Sequence, residues 1–180
     1  MNTHGTATRP MIAPGAYTVV PARTTVRFAV KELWGLVTVR GTFGVRDGTI
    51  VVAEDPKRSS VRVSMDPASF ASGNRRRDKD VTGRNFLDAA AHPRMDFVST
   101  DVGRDGDDWT VDGLLTVHGV TAPVTLRLVD GRQTGNGCSF SATAVVDRTW
   151  FGVSRVVGFI GRDLEVTIDI AAAASDPRSV

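Results

Sequence analysis

The amino-acid sequence predicts an all-β protein, built as an eight-stranded antiparallel β-barrel with one short helical connection. Apolar and polar residues alternate in one segment after another, which is the period of a strand with one buried face. The 180 residues include 18 Gly and 8 Pro, and turn signals separate the alternating segments. Because no long alternation of strands with helices is present, the strands must either close into a barrel or pack as a sandwich. Closure is the preferred interpretation.

Eight segments carry the alternating pattern, and each presents one apolar row. In the first segment this row consists of Val26, Phe28 and Val30. The predicted strands span residues 24–32, 36–45, 59–65, 93–100, 114–119, 123–130, 139–147 and 163–172. Hairpin turns are predicted between them at Asp47-Gly48, Asp105-Gly106, Asp130-Gly131 and residues 135–137, where the residue types tolerate a positive φ.

The segment from Asp66 to Pro93 lacks the two-residue period. We expect it to form a long connection that covers one end of the barrel, with a short helix from Arg75 to Val81 capped by Asn74 or Ser72. The helix region is rich in bases, with Arg75, Arg76, Arg77, Lys79 and Arg84 against Asp78 and Asp80. These bases are interpreted as a solvated helix face, and a docking surface for anionic lipid headgroups stays open as an alternative.

The composition narrows the class of protein and its location. Apolar residues make up 41% of the chain, charged residues 23%, and the formal net charge is +2, which fits a globular domain and gives no nucleic-acid signature. No apolar run is long enough for the core of a secretory signal or for a membrane span, so a cytoplasmic protein is expected. The predicted domain covers residues 15–173, between flexible tails at 1–14 and 174–180. The single Cys138 is expected to be a small buried hydrophobe.

Motifs for catalysis are missing from the sequence. His4, His92 and His118 are scattered and form no Cys/His cluster, so neither a metal site nor a cofactor is predicted. No nucleophile elbow, phosphate-binding loop or dinucleotide fingerprint is present. The expected protein is therefore not an enzyme. Its eight strands could enclose either a packed core or one small ligand.

Four blocks of sequence, at residues 15–35, 75–100, 109–126 and 145–153, resemble the YceI-like family, and the resemblance extends over about residues 15–172. Among the matching residues are Arg77, Asp78, Asp88, Gly119 and Pro123. The resemblance implies a lipocalin-like barrel that binds polyisoprenoids or related amphiphiles. Family members often carry His at the positions of Glu32 and Asp80, so those two positions depart from the family pattern.

The resemblance and the alternation together predict the site. An elongated apolar ligand (a polyisoprenoid, an isoprenoid quinone or a fatty-acid-like lipid) is expected inside the barrel for storage or transport. The expected lining comprises Phe28, Val30, Val39, Phe43, Val63, Phe86, Phe97, Leu115, Val117, Leu126, Phe140 and Phe151. Polar contacts to the ligand's end, or structural roles, are expected of Arg77, Asp78, Asp88, His118 and Arg148. We expect Trp34 and Trp150 to flank the mouth.

Two other functions stay open at this point. The chain could be an enzyme that acts on a lipid-like molecule inside the barrel, with Arg148, His118 or Asp78 as acid–base groups. It could also be a homodimeric stress-response interaction module. Peripheral contact with a membrane is compatible with any of these functions.

Overall fold

The computed structural model describes residues 12–32, 35–153 and 160–175, and these residues form one antiparallel sheet with a single α-helix. The helix, α1, spans Arg75–Thr82. The strands are β1 (Gly15–Val19), β2 (Thr25–Glu32), β3 (Val37–Val52), β4 (Ser60–Ala71), β5 (Met95–Asp105), β6 (Asp108–Val117), β7 (Val120–Thr134), β8 (Gly137–Asp147) and β9 (Ile160–Ala174). Short 3-10 turns lie at Pro21–Arg23, Pro56–Arg58 and Arg148–Phe151.

The sheet closes on itself as the sequence predicts. Each strand from β2 to β8 pairs with the next strand along the chain, and β9 pairs with both β8 and β2. The helix end of the barrel carries α1, the β6–β7 turn and the β8–β9 connection. The opposite end carries the β3–β4, β5–β6 and β7–β8 connections. This is the predicted eight-stranded barrel with one helical connection.

Nine strands fit an eight-stranded barrel because β1 and β2 share one position. Both lie between β3 and β9, with β1 nearer the opposite end and β2 nearer the helix end. The 3-10 turn at Pro21–Arg23 separates them. At this break the Val20 amide donates to the Ala171 carbonyl at 2.8 Å, and the Thr24 hydroxyl donates to the Val20 carbonyl at 3.0 Å. The two strands therefore act as one interrupted strand.

Two of the predicted turns are confirmed and two are wrong. Gly106 and Gly135 each have φ of 60° and form tight turns between strands. Asp47 and Asp130 instead lie inside β3 and β7, where the pairing register shifts as in a β-bulge. A bulge bends a strand without ending it, so Asp-Gly serves both purposes and its local sequence does not distinguish them.

The connection between β4 and β5 is shorter than predicted. The strand β4 continues through Asp66 to Ala71, so the irregular segment begins only at Ser72. The helix agrees with the prediction, because the side-chain oxygen of Asn74 accepts hydrogen bonds from the amides of Arg76 and Arg77, each at 3.1 Å. No helix among the described residues is long and apolar enough to cross a bilayer.

The packing of the barrel begins before its predicted start at Gly15. Ile12 is buried, and the Ala13 amide donates to the side-chain oxygen of Gln133 at 3.0 Å. Residues 1–11 and 176–180 of the predicted tails lie outside the described residues. Cys138 is fully buried as predicted, and burial raises the pKa of its thiol to about 11. Its thiol is therefore protonated and unreactive near neutral pH.

Candidate functional site

The barrel encloses a cavity of about 600 Å³ at the helix end. Pockets that hold drug-sized ligands commonly measure roughly 300–1,000 Å³. Most of its wall is apolar, since successive residues of a strand point to opposite faces: Phe28 and Val30 line the cavity, whereas Arg27 and Lys31 are exposed. Of the predicted lining residues, those that line it are Phe28, Val30, Val39, Phe43, Val63, Phe86, Phe97, Leu115, Val117, Leu126 and Phe151.

Three phenyl rings from neighbouring strands pack together in this wall. The ring centroids of Phe28 and Phe43 lie 5.6 Å apart, those of Phe28 and Phe70 5.3 Å, and those of Phe43 and Phe70 5.4 Å. Aromatic groups at these separations attract one another beyond the area that they bury. Sequence reasoning missed Phe70, because it assigned this residue to the irregular connection. The row Val63, Met65 and Phe70 would have revealed it had the bulge in β4 been recognised.

A second, smaller cavity of about 120 Å³ lies toward the opposite end. Both cavities are lined by Val61, Leu126, Ile168 and Ile170, so they follow one another along the barrel axis. Phe140, which we predicted to line the ligand site, lies in the wall of this second cavity and not of the large one. The apolar interior thus extends past the large cavity toward the opposite end.

Trp109 gives the second cavity its one distinctive polar group. The indole Nε1 is buried and has no hydrogen-bond partner among the described residues. The guanidinium of Arg104 lies 5.3 Å from the centroid of the Trp109 ring, within the range of a cation–π contact. A buried donor without an acceptor is costly, so this indole favours a guest that carries an oxygen atom.

Seven polar side chains of the described residues line the large cavity, and all but Thr24, which lies at the break between β1 and β2, are at the helix end. They are Thr24, Glu32, Asn74, Arg76, Arg77, Asp80 and Arg148. Arg76, Arg77, Glu32 and Asp80 take part in no salt bridge among the residues that the structure describes. The mouth therefore offers charges of both signs that are not committed to one another.

Arg148 has a structural task at this mouth. Its side chain is buried, its Nε donates to the Gly161 carbonyl at 2.9 Å, and its Nη1 donates to the Val153 carbonyl at 2.5 Å. Burial lowers the pKa of this guanidinium from its ordinary value, and the charge of Asp147 opposes that effect. The guanidinium thereby links Val153, which follows β8, to Gly161 at the start of β9.

The other predicted polar residues divide between the helix and the rim. Asp78 lies outside the cavity lining and accepts hydrogen bonds from the amide and hydroxyl of Ser72, at 2.9 and 2.7 Å. No salt bridge joins Arg77 to Asp78 or Asp88 in the described part of the chain. Asp88 and His118 also lie outside the lining and meet each other at the rim.

The two tryptophans predicted to flank the mouth have different outcomes. Trp150 lies at the helix end and its residue is 53% exposed. Trp34 lies outside the described residues. Leu36, directly before β3, is 84% exposed. The helix end therefore presents large apolar side chains to solvent at the same end of the barrel as the basic helix.

Comparison with known proteins gives the relatives of this barrel. A family model described as a YceI-like domain matches residues 17–172. The chain belongs to the YceI-like family. This YceI-like chain is 32% identical over 151 residues to Protein YceI of Escherichia coli, with 81% of the chain and 78% of the relative covered. It is 31% identical over 154 residues to UPF0312 protein ECA1782 of Pectobacterium atrosepticum, with the same coverage of 81% and 78%.

Solved structures share the fold of this YceI-like chain. BcnA of Burkholderia cenocepacia matches with a TM-score of 0.75 and 22% identity, covering 86% of this chain and 99% of the other. A polyisoprenoid binding domain from Saccharophagus degradans matches with a TM-score of 0.66 and 13% identity, covering 91% of this chain and 100% of the other. At such identities the likeness shows the fold alone. It confirms the predicted YceI-like barrel.

Proposed function

We propose that this protein binds an elongated apolar molecule with a small polar end inside its barrel. The main support for this proposal is the apolar cavity of about 600 Å³, which continues toward a second cavity along the barrel axis. A packed core would leave few voids larger than a water molecule. The structure from Saccharophagus degradans is described as a polyisoprenoid binding domain, which supports isoprenoids as the ligand class.

The energetics favour a hydrocarbon guest. Transfer from water contributes roughly 0.8 kcal/mol for each buried methylene group. Several isoprene units can thus offset the cost of ordering a flexible chain, which is about 0.5–1.5 kcal/mol for each immobilised flexible group. The Phe28, Phe43 and Phe70 rings add a wall of flat, polarisable surface that suits alkene carbons. Tight binding therefore requires no reactive residue.

The ligand's polar end is placed at the helix end in this proposal. Arg76, Arg77, Asp80 and Glu32 line the cavity there and are not engaged in salt bridges among the described residues. The two arginines can donate to a hydroxyl, a carbonyl or a phosphate, and the two carboxylates can accept from a hydroxyl. Glu32 and Asp80 occupy the two positions where family members often carry His, so this chain would contact the polar end with carboxylates.

Binding is supported over catalysis by what the polar residues already do. Arg148 donates to two backbone carbonyls, and Asp78 accepts two hydrogen bonds from Ser72. His118 lies outside the cavity lining. The three acid–base candidates from the sequence thus have structural partners or lie away from the guest.

The test is direct recovery of the guest. The purified protein is extracted with organic solvent and the extract is analysed by mass spectrometry, and the emptied protein is then titrated with geranylgeraniol. We expect a copurifying lipid and saturable binding at one molecule per chain. Recovery of no lipid together with no binding of geranylgeraniol would contradict the proposal.

We also propose that the guest enters at the helix end from an anionic bilayer. Leu36 and Trp150 are exposed at this end of the barrel, which also carries a helix region with five basic and two acidic residues. Basic side chains near an anionic surface contribute about 1 kcal/mol each. Cosedimentation with phosphatidylglycerol vesicles should exceed that with phosphatidylcholine vesicles, and Leu36→Asp, which removes an exposed apolar side chain, should weaken pelleting with both. Equal pelleting with both vesicles would contradict it.

The homodimer stays a prediction, which sedimentation equilibrium would test.

A further inference from the structure

Three side chains with metal-binding atoms meet at the rim of the helix end, outside the cavity lining. The ligand atoms of Asp88, His92 and His118 all lie within 4.8 Å of one another, and each residue is half-buried. The imidazoles of His92 and His118 meet edge to face, with ring centroids 4.8 Å apart. None of the three side chains makes a hydrogen bond or salt bridge to another described residue. We call this group the rim triad.

We propose that the rim triad binds one divalent transition-metal ion of the zinc type. Two imidazoles and one carboxylate form the kind of three-ligand set that binds Zn²⁺ and leaves a further position for water or another ligand. Ca²⁺ and Mg²⁺ prefer oxygen donors, so a set with two imidazoles disfavours them. The proposal is independent of what occupies the barrel.

The backbone supports a built site. Among the described residues, Asp88 and His118 are the non-glycine residues with positive φ, at 43° and 53°. Such conformations are uncommon outside Gly, and they cluster where a side chain must be held in a particular direction. The only two described residues of this kind thus carry two of the three ligand groups.

Local structure brings the third ligand to the other two. The His92 amide donates to the Asp88 carbonyl at 2.8 Å, so a one-turn loop closed by this bond brings the two residues together. A Cβ on Gly119 would lie 3.0 Å from Cε1 of His92, so Gly119 leaves room for this imidazole against the β6–β7 turn. The sequence signal for the site is the four-residue spacing of Asp88 and His92, and the sequence alone does not connect this pair with His118.

The distances need only a small adjustment. Zn–N and Zn–O bonds of roughly 2.0–2.2 Å space the ligands of a tetrahedral ion by about 3.3 Å. The separations of up to 4.8 Å therefore close by about 1.5 Å or less, which side-chain torsions of half-buried groups can supply. A bound ion would fasten the segment 83–94 to the β6–β7 turn. Leu87 and Val117, the chain neighbours of Asp88 and His118, line the large cavity.

The test uses the full chain without an affinity tag, freed of metal with EDTA. Isothermal titration with Zn²⁺ should show one equivalent per chain, and Co²⁺ should give visible d–d bands of a low-coordinate site. His118→Asn keeps a residue that tolerates positive φ, and His92→Phe keeps a ring at the packed position. Each should weaken Zn²⁺ binding by about 100-fold or more, since even outer-shell changes cost 10–100-fold. His4→Asn, which removes the remaining histidine, should change nothing.

Two binding results would overturn the proposal. One is the absence of stoichiometric binding to the unmodified chain, and the other is unchanged affinity in both His92→Phe and His118→Asn. Far-UV circular dichroism checks that each variant is folded. NMR of the unmodified chain does not depend on the folding of any variant. Co²⁺ should shift the imidazole signals of His92 and His118 and leave that of His4 in place. Signals that do not move would equally refute the site.

Discussion

Two neighbouring residues on β8 provide a matched pair of variants for the barrel interior. Ala144 lines the large cavity, whereas the next residue, Val145, points outward and is 64% exposed. Ala144→Phe therefore places a phenyl ring inside the cavity, and Val145→Phe places the same ring in solvent. Both variants gain one phenyl ring, and they differ mainly in whether that ring lies in the cavity or in solvent.

The expected magnitude follows from the volume of the cavity. A cavity of about 150 Å³ suffices for a benzene ring, so Ala144→Phe fills about a quarter of the 600 Å³ available. An elongated guest that withdraws about four methylene-sized groups loses about 3 kcal/mol, at roughly 0.8 kcal/mol each. The dissociation constant for geranylgeraniol should then rise about 100-fold. Val145→Phe should stay within about twofold, as exposed substitutions do.

The assay is a calorimetric titration with isoprenoid alcohols of decreasing length. Ala144→Phe should lose affinity for the longest alcohol most and for the shortest least, which distinguishes a filled cavity from an unfolded protein. Urea unfolding of both variants serves as the control for stability. Equal binding of geranylgeraniol by the wild type and both variants would refute a guest in this cavity.

Three further predictions concern stability. Arg148→Met should lower the free energy of unfolding, measured with urea, by about 2–4 kcal/mol, because two carbonyls lose their donor. A decrease of less than about 1 kcal/mol would contradict the structural role. Gly113→Ala should lower the melting temperature, since the new Cβ would lie 2.4 Å from Cζ of Phe97, while Gly103→Ala, whose nearest contact is 3.4 Å, should be neutral; equal effects would refute the packing argument. The hydroxyl of Ser141 and the guanidinium of Arg27 lower the pKa of Asp169, so its carboxylate stabilises the fold above the unfolded pKa and this contribution is lost as pH falls through the folded value. Asp169→Asn should thus cost up to about 1 kcal/mol near neutral pH and nothing in strong acid, and a cost independent of pH would contradict the assignment.

The interior was predictable because it depends on a period that the sequence displays. Alternation fixes which residues share a face, so Phe28, Val39 and Leu126 could be assigned to the lining without coordinates. Where a bulge shifts the phase, the same reasoning fails: Phe70 was missed behind the irregularity in β4. Phe140 keeps the correct face but lies at a height along the axis that the period does not encode.

The rim triad shows the complementary limit. Asp88 and His92 are close in sequence, but His118 reaches them only because β5 and β6 run the length of the barrel and return. Such a meeting depends on strand register and on the conformation of two connections, neither of which a single sequence displays. The space that Gly119 leaves for the His92 imidazole depends on the same packing.

The position of β9 has a consequence for biosynthesis. This last strand lies between β8 on one side and β2 with β1 on the other, so it supplies the final pairing of the ring. A ribosome-bound chain that ends before residue 160 presents an open sheet with two unpaired edges and an apolar concave face. Exposed edges of this kind promote association between chains. Closure of the ring therefore requires the synthesis of β9, and until then the two sheet edges stay open to pairing with another chain.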